Sequence, residues 1–391
     1  MNKRVTPILA VDFFCGAGGM TNGLIMAGLH VLAGVDNEPA CETTYIQNRN
    51  RDGTRPVYLC KDVFPRGRTY PAGQQHEVRE SLIELIKDFR RRTGVRKPKL
   101  VFAICAPCQP FTKITKIEMS QGRQFKRDND SNLLLTTTQL IRYFKPDALI
   151  CENVEGLVSD DPDSVITQFK RHLSRAGYSF EARIINAARF GIPQNRRRTI
   201  GLAFLKERYG EANVPEVNPN VKKAVTVEET IGHLPALAAG EIHPTIRNHR
   251  ARALSDLNLK RIASARPGES NHGLSETPYG DLSLECHRRL KVRSGHQSFS
   301  DTYTRMKGGD VAPTITTKCI SITNGRFGHY DTTQNRGITP REAALLQTFP
   351  ENYVFSPEDN IHFTATLIGN AVPPKLAKFF GKFIAQRIAK K

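Results

Sequence analysis

The chain has 391 residues, 39% of them hydrophobic, and carries 57 Lys and Arg against 38 Asp and Glu, a formal net charge of +19. That length supports one large core plus a smaller second domain without staples, and no apolar run approaches the roughly 20 residues that span a bilayer. An excess of cations this large points to a polyanionic partner, of which nucleic acid is the commonest. Cysteines stand unevenly at positions 15, 41, 60, 105, 108, 151, 286 and 319. The opening MNKRVTPILAVDFF meets Asp12 before any signal-like stretch has run its length. An intracellular protein with reduced thiols is expected.

The first apolar run, Val5 to Phe14, breaks into Cys15-Gly16-Ala17-Gly18-Gly19 ahead of a helical pattern at Leu24, Ile25 and Ala27. Strand, glycine turn and helix open a nucleotide-binding α/β unit. A second run, His30 to Val35, ends at Asp36, about 20 residues past the first glycine, where an acid takes ribose hydroxyls. Strand-like runs follow at Pro56–Leu59, Leu100–Cys105, Ala148–Cys151 and Thr199–Phe204, with helical patterns at Val78–Arg92 and Leu133–Phe144 between them. This alternation predicts a mostly parallel sheet covered on both faces. Asp36, Asp62, Cys108 and Glu152 stand at or just past strand ends and should face one cleft, since open α/β sheets bind ligands at the carboxyl ends of their strands.

Past Phe204 the alternation fades, and 206–330 is rich in Pro, Gly, His and Arg, as expected for a separate irregular domain. Between His243 and Lys307 it carries Arg247, Arg250, Arg252, Arg261, Arg266, Arg288, Arg289, Arg293 and Arg305. That composition suits a surface touching phosphates and base edges better than a core. Thr339–Phe349 reads as a helix with a Thr cap and Pro at its first turn. The final segment from Pro374 lines up Leu376, Phe379, Phe380, Phe383, Ile384 and Ile388 on one helical face, read as core packing, and ends in Lys390-Lys391.

Residues 103–113, AICAPCQPFTK, place Cys108 just past an apolar run. Cys105-Ala106-Pro107-Cys108 has redox spacing, but Pro110 and the basic stretch Lys113–Arg127 read as a loop, not an immediate helix, and a redox role leaves the charge unexplained. Zinc lacks a second ligand pair. A buried structural thiol suits Cys105 and Cys151 better than Cys108. A nucleophile is the fourth reading: Glu152 supplies an acid at the next strand end, and Gln194-Asn195-Arg196-Arg197-Arg198 supplies cations. Methyl transfer to C5 of cytosine needs such a set. Thiolate addition at C6 makes an enamine whose C5 attacks an electrophilic methyl. A glutamate over the Watson–Crick edge that protonates or hydrogen-bonds N3 makes the addition feasible.

The ordered motifs resemble those of the C5-cytosine DNA methyltransferases of bacterial restriction-modification systems across nearly the whole chain. DFFCGAGG (12–19), Asp36 with Glu38, and Asp62 in KDV resemble the family's S-adenosylmethionine motifs. PCQPF (107–111) resembles its catalytic loop, ENV (152–154) its glutamate motif, QNRRR (194–198) its Gln-x-Arg-x-Arg motif, and RGITPREAALLQTFP (336–350) and GNAVPP (369–374) its closing motifs. The resemblance implies a Rossmann-like S-adenosylmethionine-dependent methyltransferase fold of the α/β class with a smaller irregular target-recognition domain. It divides the chain into a catalytic and cofactor-binding domain (1–205), a target-recognition domain (206–330) and a segment returning to the catalytic domain (331–391).

By the same resemblance Cys108 adds to C6, Glu152 engages N3, and Arg198, supported by Arg196, steadies the flipped ring. Phe14, Gly16, Ala17, Gly18, Gly19, Asp36, Asn37, Glu38, Asp62, Val63, Pro107, Asn370 and Ala371 contact S-adenosyl-L-methionine, which leaves as S-adenosyl-L-homocysteine, and no metal takes part. The implied partner is double-stranded DNA, its target base swung out of the stack, with the basic loop 112–130 folding over it. A cognate restriction endonuclease as genetic partner, a monomeric state and a bacterial cytoplasmic location, at the nucleoid when DNA-bound, are further implications. Where the family has Gly-Pro-Pro-Cys this chain has Cys105-Ala106-Pro107-Cys108, which puts an extra thiol close to the nucleophile, in reach of an inactivating disulfide. tRNA-acting relatives share PCQPFT, but their Cys-Phe-Thr signature is missing here, so DNA is favoured over tRNA. A nicotinamide oxidoreductase would leave Cys108 and Glu152 idle, and a catalytically silent DNA-binding protein would have no use for a cofactor pocket.

Overall fold

Strand β1 (Ile8–Phe13) is buried along its whole length, as a central strand covered on both faces must be. It pairs in parallel with β2 (His30–Asp36) on one side and β4 (Lys99–Ile104) on the other. The computed structural model describes residues 7–107, 133–157, 161, 163–284 and 300–389. Cys108, the loop 112–130 and Arg288, Arg289 and Arg293 lie outside these residues. With β3 (Val57–Cys60), β5 (Ala148–Val154), β6 (Tyr178–Asn186) and β8 (Arg197–Leu205) the sheet has seven strands in the order β3-β2-β1-β4-β5-β8-β6. β8 runs antiparallel to both of its neighbours, and the pairings among β1 to β5 are parallel.

The α/β class and the mostly parallel sheet agree with the alternation read from the sequence. β6 was not anticipated. Its sequence YSFEARIIN interrupts its apolar residues with Glu181 and Arg183 and is exposed at Arg183 and Ile184 before Ile185 turns in again, so it carries no continuous apolar run. β8 follows β6 after a short connection that holds a 3-10 turn, Ala187–Phe190, and the two-residue strand Gln194–Asn195 but no crossover helix; a parallel return needs a crossover of about a dozen residues or more, so the strand comes back antiparallel.

Contacts divide the chain into two units. The first comprises Met1–Phe190, Arg197–Asn220 and Val372–Lys391, and the second Gly191–Arg196 and Val221–Ala371. In the first unit, α1 (Gly19–Ala27) ends at Gly28, whose φ of 99° supplies the left-handed turn that an L side chain resists. One face of the sheet packs Leu9, Val11, Phe13, Phe102 and Leu149 against Val78, Leu82 and Phe89 of α2 (Gln75–Thr93), Leu140 and Ile141 of α3 (Thr138–Phe144), and Phe169 and Leu173 of α4 (Val165–Arg175). α1 also packs against the last helix, Pro374–Ala389, whose Leu376, Phe380, Ile384 and Ile388 are buried as that stripe predicts. The two helices approach closely through glycine: a Cβ on Gly23 would stand 2.4 Å from the Cβ of Ala377.

The second unit is irregular, with β7 (Gln194–Asn195) paired to β9 (Ala312–Pro313) and helices α5 (Asp256–Ser264), α6 (Pro340–Leu346) and α7 (Ile361–Asn370). The final helix is α8. The Thr339 cap and Pro340 read from the sequence are present, and Thr339 with Glu342 forms a reciprocal capping box. Arg305, expected at the nucleic-acid surface, is instead fully buried. Its guanidinium donates to the carbonyls of Ile262, Ala265, His329, Asp331 and Gln334 at 2.9–3.1 Å. Burial is tolerable because its donors are taken. Arg247 is likewise held, by Glu358, whereas Arg266 stays exposed.

Arg336 and Glu342, both buried, form a bidentate pair at 2.8 and 2.7 Å. Burial alone would raise the Glu342 carboxyl, but Arg336 and His329 more than offset it and hold it far below the usual range. Arg336→Met leaves that buried carboxylate without its guanidinium, with only His329 at 3.4 Å and the Thr339 N–H at 2.7 Å beside it, and the expected loss is about 3–5 kcal/mol in urea unfolding. A loss under about 1 kcal/mol, the range of a surface pair, would show that the pair does not hold this unit.

Candidate functional site

The glycine turn after β1 is built by backbone geometry that ordinary residues avoid. Phe14 has φ 60°, Gly16 46° and Gly18 81°. A bulky residue at positive φ is strained, and such strain marks sites where conformation serves a purpose. Phe14 is held there because its N–H donates to the carbonyl of Val35 at 2.7 Å. Asp36, ending β2, receives the N–H of Gly16 on Oδ2 at 2.8 Å and that of Glu38 on Oδ1 at 3.1 Å. Burial raises the Asp36 carboxyl, and these N–H groups with that of Asn37 oppose the rise. One strand further, Cys60 pairs in register with Asp36, and Asp62 follows, its Oδ1 accepting the N–H of Phe64 at 2.8 Å. Val63 is buried beside it.

Beneath the turn sits Asp12, whose Oδ2 accepts the N–H and the hydroxyl of Thr21 at 3.0 and 2.7 Å. Its Oδ1 is buried without a hydrogen bond. Burial pushes this carboxyl up to about 7, against the opposing bonds from Thr21.

At the ends of β4 and β5 a second cluster forms. Glu152 is buried, and Arg198 Nε lies 3.2 Å from its Oε1, an ion pair whose alignment falls short of a hydrogen bond. The antiparallel register sets this up: Val154 faces Arg198 and Glu152 faces Ile200. Asn153 donates from Nδ2 to the carbonyl of Ala106 at 3.1 Å, and Cys105 donates its N–H to Phe13 at 3.2 Å. These bonds fix Cys105-Ala106-Pro107, with Pro107 exposed, immediately before Cys108. Burial raises the Cys105 and Cys151 thiols, the latter to about 12, as suits structural thiols.

Arg196 belongs to the other unit. It is buried in the second unit, where it donates from Nη1 to Ile315 at 2.9 Å and from Nη2 to Gly369 at 3.2 Å. In that unit the Asn370 side chain is exposed and Ala371 is buried.

The C-5 cytosine-specific DNA methylase model matches residues 75–386. The chain belongs to that family. It is 34% identical over 376 residues to the type II methylase M.HgiDII of Herpetosiphon aurantiacus, covering 96% of this chain and 94% of that one. It is 29% identical over 370 residues to the type II methyltransferase M1.HphI of Haemophilus parahaemolyticus, covering 94% and 84%. The Entamoeba histolytica methyltransferase EhMeth shares the fold, with a TM-score of 0.58 and 14% identity over 97% of this chain and 98% of that one. This C5 methylase is thus a DNA cytosine-5-methyltransferase, acting on DNA by S-adenosylmethionine-dependent methyl transfer. Among the described residues no helix is long and apolar enough to cross a membrane.

Sequence reading left three residues of the methylase unassigned. Asn153 lies inside the quoted ENV motif and Asp12 opens DFFCGAGG, so position in a motif could have flagged both. Gln347 is buried within RGITPREAALLQTFP, where its place in a motif and its polarity in an apolar run both mark it. Asp12 gives a pH signature. Its folded pKa is raised from 3.8 to about 7, so the native state binds more protons between these values and this group's contribution to stability falls as pH climbs through them. The stability of Asp12→Asn relative to wild type should therefore rise from about pH 4 to pH 7 and level off above. A difference that stays constant across that range in urea unfolding would remove the assignment.

Proposed function

We propose that the chain methylates one cytosine within a short duplex sequence through a covalent bond between Cys108 and C6 of the base. The observation that carries this reading is the Glu152–Arg198 ion pair at 3.2 Å, beside the Asn153–Ala106 bond that fixes the backbone leading to Cys108. Glu152, once the base displaces Arg198 from it or joins the pair, holds a proton at N3, which draws electrons from C6 and favours thiolate attack. Arg198 steadies the ring. C5 then acts as nucleophile toward the methyl, and loss of the C5 proton to water, with expulsion of the Cys108 thiolate and return of the N3 proton to Glu152, restores the aromatic ring. Arg196, which donates to backbone carbonyls, contributes by holding its surroundings and not by touching the base.

S-adenosyl-L-methionine, when bound, supplies an electrophilic methyl and leaves as S-adenosyl-L-homocysteine. The chain's donor set fits such a ligand. A Cβ on Gly16 would meet nothing within 4 Å, Asp12 Oδ1 is a buried oxygen without a hydrogen bond, and Asp36, Glu38 and Asp62 follow adjacent strand ends. Phe14 with Gly16 to Gly19 would cradle it, Asp36 with Asn37 and Glu38 would take the ribose, Asp62 and Val63 the adenine, and Pro107, Asn370 and Ala371 the remainder. The second unit would read the DNA sequence. A cognate restriction endonuclease, a monomeric state and a bacterial cytoplasmic setting at the nucleoid complete the reading.

The test is incubation with tritium-labelled S-adenosylmethionine and a long mixed-sequence duplex, followed by bisulfite mapping. Label at one recurring motif, absent with Cys108→Ser, is expected. Label in tRNA alone would overturn the DNA reading for this site. Glu152→Gln should retain cofactor binding but lose about 10²–10⁴-fold in transfer rate; a loss below about tenfold would deny it the proton-holding role. Affinity for the duplex should fall steeply with added salt, because each phosphate contact releases counterions. A flat response between low and moderate salt would count against the basic surface.

A further inference from the structure

The carbonyls at the end of a helix have no partner within it and must find one elsewhere. In the second unit, α6 ends at Leu346 and α7 at Asn370, and one buried set of side chains serves both ends. Gln194, on β7, donates from Nε2 to the carbonyl of Leu346 at 2.9 Å and to Gln347 Oε1 at 2.6 Å. Its own Oε1 accepts the N–H of Ile315 at 3.1 Å. Gln347 in turn donates from Nε2 to the carbonyl of Ala371, and Arg196 donates to the carbonyls of Ile315, Gly369 and Ala371.

Two primary amides thus form a directional relay. The Ala371 carbonyl can only accept and the Ile315 N–H can only donate, so each amide between them has one permitted orientation. Both glutamine side chains are fully buried, where an unmet donor or acceptor carries its whole desolvation cost. The relay grips the backbone on both sides of Asn370 while leaving that side chain exposed. Gly369 tightens the arrangement, since a Cβ there would stand 2.2 Å from the backbone of Thr316.

We infer that Gln347 is a positioning residue for the reaction: through the Ala371 carbonyl it holds the 369–371 turn in the shape that engages the cofactor. This rests on the reading above that Asn370 and Ala371 touch S-adenosylmethionine. It extends that reading to a residue which meets neither cofactor nor base.

Gln347→Glu is the informative variant. Glutamate still accepts from Gln194, but ionised it faces the Ala371 carbonyl with an oxygen and no proton. A buried carboxyl has a raised pKa, so lowering the pH returns the donor. By calorimetry with S-adenosylhomocysteine, binding at pH 8 is expected to weaken about tenfold or more and to recover most of that at pH 6. Affinity for a long mixed-sequence duplex without cofactor should stay within about twofold of wild type at both values, on the scale of experimental scatter. Gln347→Leu should show the same loss at pH 8 without recovery. Hydrogen exchange at the Ala371 amide, which donates to Ile368 at 3.2 Å, should quicken in both variants at pH 8.

Wild-type cofactor affinity in both variants would overturn the inference. So would a joint fall in cofactor affinity, DNA affinity and unfolding midpoint without recovery at pH 6, the mark of a merely structural residue. If wild type itself fails to bind S-adenosylhomocysteine, the cofactor reading of the turn fails, and unchanged exchange at Ala371 would then also remove Gln347 as the group that holds it.

Discussion

Arginine guanidiniums donating to backbone carbonyls hold the second unit together. Its long irregular segments present many carbonyls that no helix or sheet satisfies, and buried carbonyls without partners are costly. Arg196, Arg305, Arg336 and Arg341 are among the largest fully buried side chains of the described residues. Each reaches carbonyls far away in sequence; Arg305 alone gathers those of Ile262, Ala265, His329, Asp331 and Gln334. The planar fork suits this work because its donors point several ways from one rigid centre. A unit built so is specified by direction and donor count more than by apolar volume.

The first unit follows another logic. Its sheet is apolar on both faces and supplies rigidity, while the strand ends carry the polar groups. Asp36 and Glu152 are both strand-end acids, yet they are held differently. Asp36 is wrapped by backbone N–H groups from the glycine turn and its own loop. Glu152 meets a guanidinium from the one antiparallel neighbour, so its partner depends on the register between β5 and β8. A shift of one residue would turn Arg198 to the opposite face of the sheet.

Much of this arrangement was legible in the sequence, and for physical reasons. Buried parallel strands must be continuous apolar runs, so β1, β2, β4 and the first part of β5 announced themselves, as did the glycine turn and the capped helix at Thr339. β6 did not, because an edge strand interrupted by Glu181 and Arg183 and exposed at Arg183 and Ile184 loses the apolar signal. Arg305 misled in the other direction. Composition cannot distinguish an arginine facing phosphate from one surrounded by carbonyls, since both satisfy the same donors. The ion pair of Arg198 and the carbonyl bonds of Arg196 show the same limit within a single motif, where residues two apart meet unlike surroundings.

The packing of α1 against α8 has a consequence for biosynthesis. α1 follows the glycine turn, and its close-packed partner α8, which meets it through Gly23 on α1 and its own Gly381, is made only after the second unit. Domains fold largely as units during synthesis, but here the whole second unit is translated between the two helices. While the ribosome works through it, the face of α1 that α8 will cover stays open to water, and a nascent chain in that state presents apolar surface to chaperones and to other chains. Completion of the first unit is thereby tied to completion of the second, so a chain stopped early in translation lacks the cover of its own glycine-turn helix.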